Sequence, residues 1–376
     1  MEKNERNYSL DLLRIIAMLM IVILHFLSKS GTLDYTQVFS VNNNIAWILE
    51  SCCIVAVNCY VLISGYFSVN SKLKIRRIIN IWGKVIFYSM TIGLILLISG
   101  NADIGIKNLL YTFLPTISKG YWFISVYIVM SILSPFYNLL ISTLKKNQYR
   151  ILLFIMIIIF CIIPSFLPTK FMVDISGGTG IVWFTTLYFI AGYIRLHISS
   201  DRNIRKPLLK YFAFSLLIYF LRTASVYVLL KYNKELIIAT KWFSYNSIFV
   251  LLASLYLFLY FKNLKLKNTK VISIIKRISP YTLGVYLIHE QPLLSKILYT
   301  KIWHINEIIN NWYIIFAVLI EAFITFIICI LIDALRHKIV IKFSNMKFIT
   351  KINEQVNKII YYIPNVINNI CDKFEL

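Results

Sequence analysis

Apolar runs recur from the first dozen residues of this chain to about residue 335, and a helix needs about 20 predominantly apolar residues to cross the hydrocarbon core of a bilayer. Ten such runs are predicted as spans, near 10–27, 45–67, 78–99, 121–142, 151–167, 180–197, 208–230, 245–261, 280–299 and 312–335. The composition agrees: 59% of the 376 residues are hydrophobic and 15% charged, against a roughly half-apolar average for soluble domains. The fold class expected is therefore all-α, a polytopic bundle of about ten transmembrane helices. The first run holds Asp11, Arg14 and His25 and no small-residue cleavage site follows it, so it reads as a retained helix rather than a signal peptide.

A formal charge of +23 raises the question of nucleic acid, and the placement of the charges answers it. Of the 39 Lys and Arg residues, 27 fall in alternate loops and the two tails, 8 in the opposite loops and four (Arg14, Lys84, Arg222, Lys296) inside spans. The positive-inside rule then puts both termini in the cytoplasm of a cell-membrane protein. Basic loops facing anionic lipid account for the charge, and no nucleic-acid partner is expected. Residues 1–335 read as one integral domain and 336–376 as a basic cytoplasmic tail, with Ile, Val and Tyr spaced so that part can lie on the membrane surface. Five of the six cysteines sit in apolar runs, and no CxxC or HExxH pattern occurs, so no metal is expected.

Charged groups inside a span are costly and are functional candidates by default. Arg14 and His25 are eleven residues apart, which returns a helix to within about 20° of its starting face and separates them by about 16 Å along the axis. The plain alternatives are that Arg14 snorkels to lipid phosphate or pairs with Asp11 one turn earlier, and that His25 sits near the outer headgroups. In "VLISGYFSVNSKLKIRRIINIW", Ser64 and Gly65 close the second span and Lys72, Lys74, Arg76 and Arg77 follow. That cluster suits a phosphorylated cytosolic ligand, or else is an ordinary basic loop. Trp122 enters the fourth span as an interfacial anchor or a site residue. "YTLGVYLIHEQPLL" puts His289 and Glu290 in a span broken by Pro292. Arg222 and Glu321 are near mid-membrane, placed to pair or to touch a substrate, while Lys84 and Lys296 are near enough to span ends to snorkel.

Taken in order, Asp11, Arg14 and His25 in helix 1, "LISGYF" with a basic loop after it, "YWFISVY" and "LGVYLIH" resemble the membrane acyltransferase 3 family over roughly residues 7–335. The sequence departs from the usual pattern at Tyr66, where Phe is common. The resemblance implies transfer of an acyl group, usually acetyl from acetyl-CoA, to a hydroxyl of an extracytoplasmic glycan or lipid-linked sugar. It matches His25 to the family's essential histidine and Arg14 to its arginine, and it matches Arg76 and Arg77 to the cytoplasmic basic motif without deciding between them. Coenzyme A phosphates would then rest at Arg76, Arg77, Lys72, Lys74 and Arg14, with the pantetheine arm reaching up beside helix 1 to His25. A neutral imidazole there suits a general base, while a transient acyl-histidine is the other open route. Asp11 is about 21 Å below His25 by helical rise, so an orienting carboxylate must come from another helix, with Glu50 the candidate. The rival readings are a sugar or lipid transporter or flippase using Arg222, Glu321 and His25 as its path, and a noncatalytic partner of a polysaccharide assembly system.

Overall fold

A chain this apolar must satisfy its backbone polar groups within each segment, and helices do so residue by residue. The computed structural model describes residues 6–69, 71, 73, 75–101, 105–116, 120–167, 176–199 and 205–344, and among these every regular element is helical. Helix α1 (Tyr8–Lys29) begins at Asn7, whose side chain accepts the Leu10 N–H, as an N-cap residue should. The single turn α2 (Thr32–Tyr35) leads to α3 (Val41–Cys53), capped by Ser40 on the Asn43 N–H. After Ile54 and Val55 the chain continues as α4 (Ala56–Ser68). There follow α5 (Ile75–Ile98), α6 (Ile106–Phe113) and α7 (Trp122–Thr143), then α8 (Lys146–Ile157), which passes through a π turn at Ile158–Ile162 into α9 (Ile163–Phe166). The remainder is α10 (Ile181–His197), α11 (Arg205–Lys231), α12 (Ile248–Asn263), α13 (Thr269–Ile278), α14 (Thr282–His289), α15 (Ser295–Ile297) and α16 (Ile314–Ser344).

Nine segments among the described residues are long and apolar enough to cross a membrane. Eight of them coincide with expected runs; the ninth, Thr269–His289, overlaps the expected 280–299 only over its second half, because α14 ends at His289 ahead of Pro292. The sixth expected run is α10, a 17-residue helix that falls just short by length. It packs on α4, α7 and α8, and Trp183, Phe184, Leu187 and Ala191 are fully buried along it. Residues 336–344, assigned by sequence to the tail, prolong α16; the remaining expected tail, 345–376, lies outside the described residues.

Helix α1 is central, touching α3, α4, α12, α13, α14 and α16. Small residues set how closely helices approach when lipid is as apolar as the side chains. Gly65 does not break α4, which runs on to Ser68. Instead a Cβ there would sit 3.1 Å from the Tyr188 Cα and 3.0 Å from the Ala191 Cβ of α10, so this glycine is a packing contact rather than part of a ligand loop. At Gly284 a Cβ would collide with the Asp333 carboxylate, because α14 lies directly on α16. Lys84 does not snorkel: its Nζ is 3.5 Å from Asp333 Oδ2. Asp333 also accepts from Tyr88 (2.8 Å) and from Arg336 (2.6 Å), tying α5 to α16.

Candidate active site

Helix α14 stops at His289 for a local reason. Pro292 has no N–H and disfavours helix at the residue before it, and the Gln291 side chain caps the restart by accepting from the N–H groups of Leu293 and Leu294 (2.8 and 2.7 Å). Glu290, released from the helix, turns toward α1. Its carboxylate takes both hydrogen-bond contacts of Lys29 Nζ at 2.6 Å. It also accepts from the Tyr299 hydroxyl at 3.3 Å and lies 3.2 Å from His25 Nδ1.

The two imidazoles meet at the same point. His25 Nδ1 is 3.0 Å from His289 Nε2, and His289 Nδ1 is 2.6 Å from the Val285 carbonyl oxygen. A carbonyl only accepts, so His289 carries its proton on Nδ1 and presents an unprotonated Nε2. That lone pair and the Glu290 oxygen both call for a donor, which places the proton of neutral His25 on Nδ1. The consequence is that His25 Nε2 is the basic nitrogen. The pairing spans 264 residues of sequence.

His25 lines a cavity of about 300 Å³ that also touches Arg14, Ser64, Phe67 and Arg77. Arg14 and His25 therefore do share one face of α1, as their spacing predicts, and the cavity extends between them. Exposed residues mark both its ends, Phe67 and Arg77 at the basic end and Ser28 at the histidine end. Its walls are aromatic, including Trp122, Phe123, Tyr127, Tyr245 and Tyr286. At the basic end a second space of about 430 Å³ shares Phe67, Arg77 and Tyr127 with the first and adds the hydroxyls of Ser68, Ser71, Ser131 and Ser134.

Arg14 is held from below. Asp11 binds it at 2.8 Å and is itself bound by Arg6 Nε at 2.6 Å, while Arg6 donates on to Ser279. Asp11 thus pairs with Arg14 and does not reach the cavity. Both arginines are exposed, but Arg77 lines both spaces and its neighbour Arg76 lines neither; adjacent residues on a helix point about 100° apart. Lys72 and Lys74 lie outside the described residues. Ser64 is in the wall and donates back to the Tyr60 carbonyl (2.9 Å).

The carboxylate beside His25 is that of Glu290 rather than the expected Glu50: Glu50 lies on the cavity wall, while His25 Nδ1 is in contact with His289 and Glu290. Trp122 is also in the wall, its ring 5.9 Å from that of Tyr245 at an interplanar angle of 27°. Arg222 and Glu321 do not pair. The Arg222 guanidinium lies 3.9 Å over the Trp47 ring, and Glu321 Oε2 has no hydrogen-bond partner. Neither residue lines the cavity.

Sequence reasoning missed Lys29, Tyr299 and Tyr245. Lys29 was legible, because it follows His25 by four residues and so shares its face; it had been counted as a loop cation. His25, His289 and Glu290 offer ligand atoms within 4.8 Å of one another, close enough for one metal ion, but Lys29 already holds both carboxylate oxygens.

A half-buried imidazole with one free basic nitrogen, at the far end of an aromatic passage from two guanidinium groups, can accept a proton from a substrate that enters opposite a long anionic one. No curated protein and no solved structure matches the chain. The sequence model of the acyltransferase domain of the acyltransferase 3 family matches residues 7–334. The chain belongs to that family of membrane acyltransferases.

Proposed function

We propose that the protein moves an acyl group, acetyl in the simplest case, from cytosolic acyl-CoA to a hydroxyl of an extracytoplasmic or lipid-linked glycan at the plasma membrane. The observation that carries this reading is the single cavity running from Arg14 and Arg77 to His25, together with the hydrogen-bond chain that leaves His25 Nε2 basic. The positive-inside rule, applied to the basic loops, supports a cytosolic Arg77 end.

Acetyl-CoA fits the residues available. Its nucleotide phosphates suit the guanidinium groups at the basic end and the serine-lined space that shares Arg77. Its long, nearly neutral arm suits aromatic walls. The axial distance it must cover from Arg14 to His25 is about 16 Å by helical rise. When bound, it supplies an activated acyl group as a thioester.

The chain's own residues do the proton work. His25 Nε2 takes the proton of the acceptor hydroxyl as that oxygen bonds to the thioester carbonyl carbon. The carbon–sulfur bond then breaks, the electron pair leaves with sulfur, and the imidazolium returns the proton to the thiolate. Glu290, 3.2 Å from His25 Nδ1, stabilises the imidazolium while it exists. His289 fixes the ring's tautomer through Val285. Arg14, held by Asp11, orients the donor.

The test is transfer in proteoliposomes. Labelled acetyl from acetyl-CoA should appear on a glycan acceptor with the native protein and not with His25→Ala, the variant remaining folded. Flux of a sugar or lipid without any acyl transfer would overturn the proposal in favour of a transporter. Mass spectrometry of surface glycans from cells with and without the protein identifies the acceptor.

A further inference from the structure

One carboxylate in the cavity has no role in the chemistry above. Glu50, in the last turn of α3, is 9% exposed and lines the cavity. Its Oε2 is buried without a hydrogen-bond partner, and among the described residues it belongs to none of the ion pairs, which engage Asp11, Glu290, Glu307 and Asp333. A carboxyl group removed from water with an unsatisfied oxygen is costly, and such a group facing a cavity invites a donor from whatever fills it.

The surroundings indicate which substrate that is. Glu50 and His25 border the same cavity, and Tyr245, also in its wall, is within electrostatic range of both Glu50 and Glu290. Trp122 belongs to this end too: the preceding residue, Tyr121, donates from its hydroxyl to the Leu287 carbonyl, two residues before His289. Trp122 and Tyr245 are stacked, with ring centroids 5.9 Å apart, and both line the same cavity as the carboxyl group. Tyr245 is fixed from behind, because Asn58 donates to its backbone oxygen at 2.8 Å and accepts from Trp183 Nε1 at 3.1 Å. The guanidinium groups that suit a polyanionic donor are at the opposite end of the cavity.

We infer that Glu50 and the Trp122–Tyr245 wall form the acceptor subsite, and that the sugar they take is neutral or amino-substituted rather than a uronate or another acidic sugar. The inference rests on the acyltransferase reading and adds the class of its acceptor. A pyranose offers an apolar ring face for the aromatic wall and, at its edge, hydroxyl or ammonium donors for the carboxyl group. An acidic sugar would have to give up the hydration of its own carboxylate beside a carboxyl group that is already unsatisfied, with the guanidinium groups at the opposite end of the cavity, and that cost is a means of rejecting the wrong partner.

The test uses full-length protein in proteoliposomes with acetyl-CoA and four acceptors: methyl glucoside, methyl N-acetylglucosaminide, methyl glucosaminide and methyl glucuronide. The native protein should acetylate at least one of the first three and not the glucuronide. Glu50→Gln should raise the acceptor KM by about three- to tenfold, the worth of one net hydrogen bond, with the KM for acetyl-CoA unmoved. Quenching of tryptophan fluorescence by the same glycosides, measured without acetyl-CoA, reads binding independently of turnover and should weaken in the variant. A rise in the acetyl-CoA KM with the acceptor KM unchanged would assign Glu50 to the donor and overturn the inference. So would acetylation of the glucuronide as readily as of the glucoside. Sugar-dependent quenching that Glu50→Gln weakens, with no acetyl transfer by the native protein, would overturn the acyltransferase reading while retaining the sugar subsite.

Discussion

Two ionic clusters flank α14, one half-buried and one buried, built from similar parts and put to different ends. On the α1 side are His25, His289, Glu290 and Lys29. On the α16 side are Asp333, Arg336, Tyr88 and Lys84. In each a carboxylate is surrounded by cationic or donating groups. The second borders neither cavity, and Gly284 lets the helices close over it. The first borders a cavity, and its chain of donors ends with a basic nitrogen still free. A buried charge alone therefore does not mark a site; an unused lone pair facing open space does.

The comparison can be broken most decisively at His25. Replacing it by Ala should lower kcat for acyl transfer by about 10²- to 10⁴-fold, the usual worth of a general base, with the detergent melting transition little changed. Activity near the native level would show that the two clusters are alike after all. Asp333→Ala should do the opposite. It removes the carboxylate from under Lys84 and Arg336, and breaking a buried pair costs about 3–5 kcal/mol. Thermal unfolding in detergent should register that loss, while kcat per folded molecule stays close to native; a selective loss of kcat would place this cluster in the chemistry.

A finer test is His289→Ala, which removes the acceptor for His25 Nδ1. By analogy with other groups that orient a reactive side chain, kcat should fall about 10- to 100-fold, with the KM for acetyl-CoA retained; loss of the donor KM alone would argue that His289 only shapes the wall. The smallest expected effect separates two adjacent arginines. Arg77→Ala should raise the KM for acetyl-CoA by about tenfold, whereas Arg76→Ala should change it by less than about twofold, since only Arg77 lines the two spaces. Equal effects would remove the distinction drawn from the cavity lining. Steady-state kinetics in both substrates addresses the route: intersecting double-reciprocal lines are expected for direct transfer, and parallel lines would indicate an acyl-histidine.

The helices were legible because each span announces itself by its own apolar run, and the shared face of Arg14 and His25 followed from helical arithmetic within one element. The partner of His25 was not legible. Glu50 was the reasonable candidate by depth in the membrane, yet the contact is made by residues 264 and 265 positions away, brought in by the packing of α14 on α1. Helix phase was lost in the same way at Arg76 and Arg77: spacing in a short basic loop cannot say which of two neighbours faces inward until the start of α5 is known. Gly65 misled because a glycine near a span end suggests a break, whereas its lack of a side chain serves the close approach of α10. Lys84 misled because a cation near a span end usually reaches water, whereas Asp333 from the last helix was within range.

Helix α14 is only eight residues long, and both of its ends are pinned. Gly284 and His289 are five positions apart, roughly 7.5 Å along the axis and 140° around it, so one meets α16 while the other meets α1. The segment works as a gauge block between two neighbours, α1 and α16, that also pack on each other. Adding or deleting a single residue within it would shift the imidazole by about 1.5 Å and turn it by about 100°. Length variation should accordingly be tolerated in the loops around Gly100 or Asn233 and not between Gly284 and Pro292.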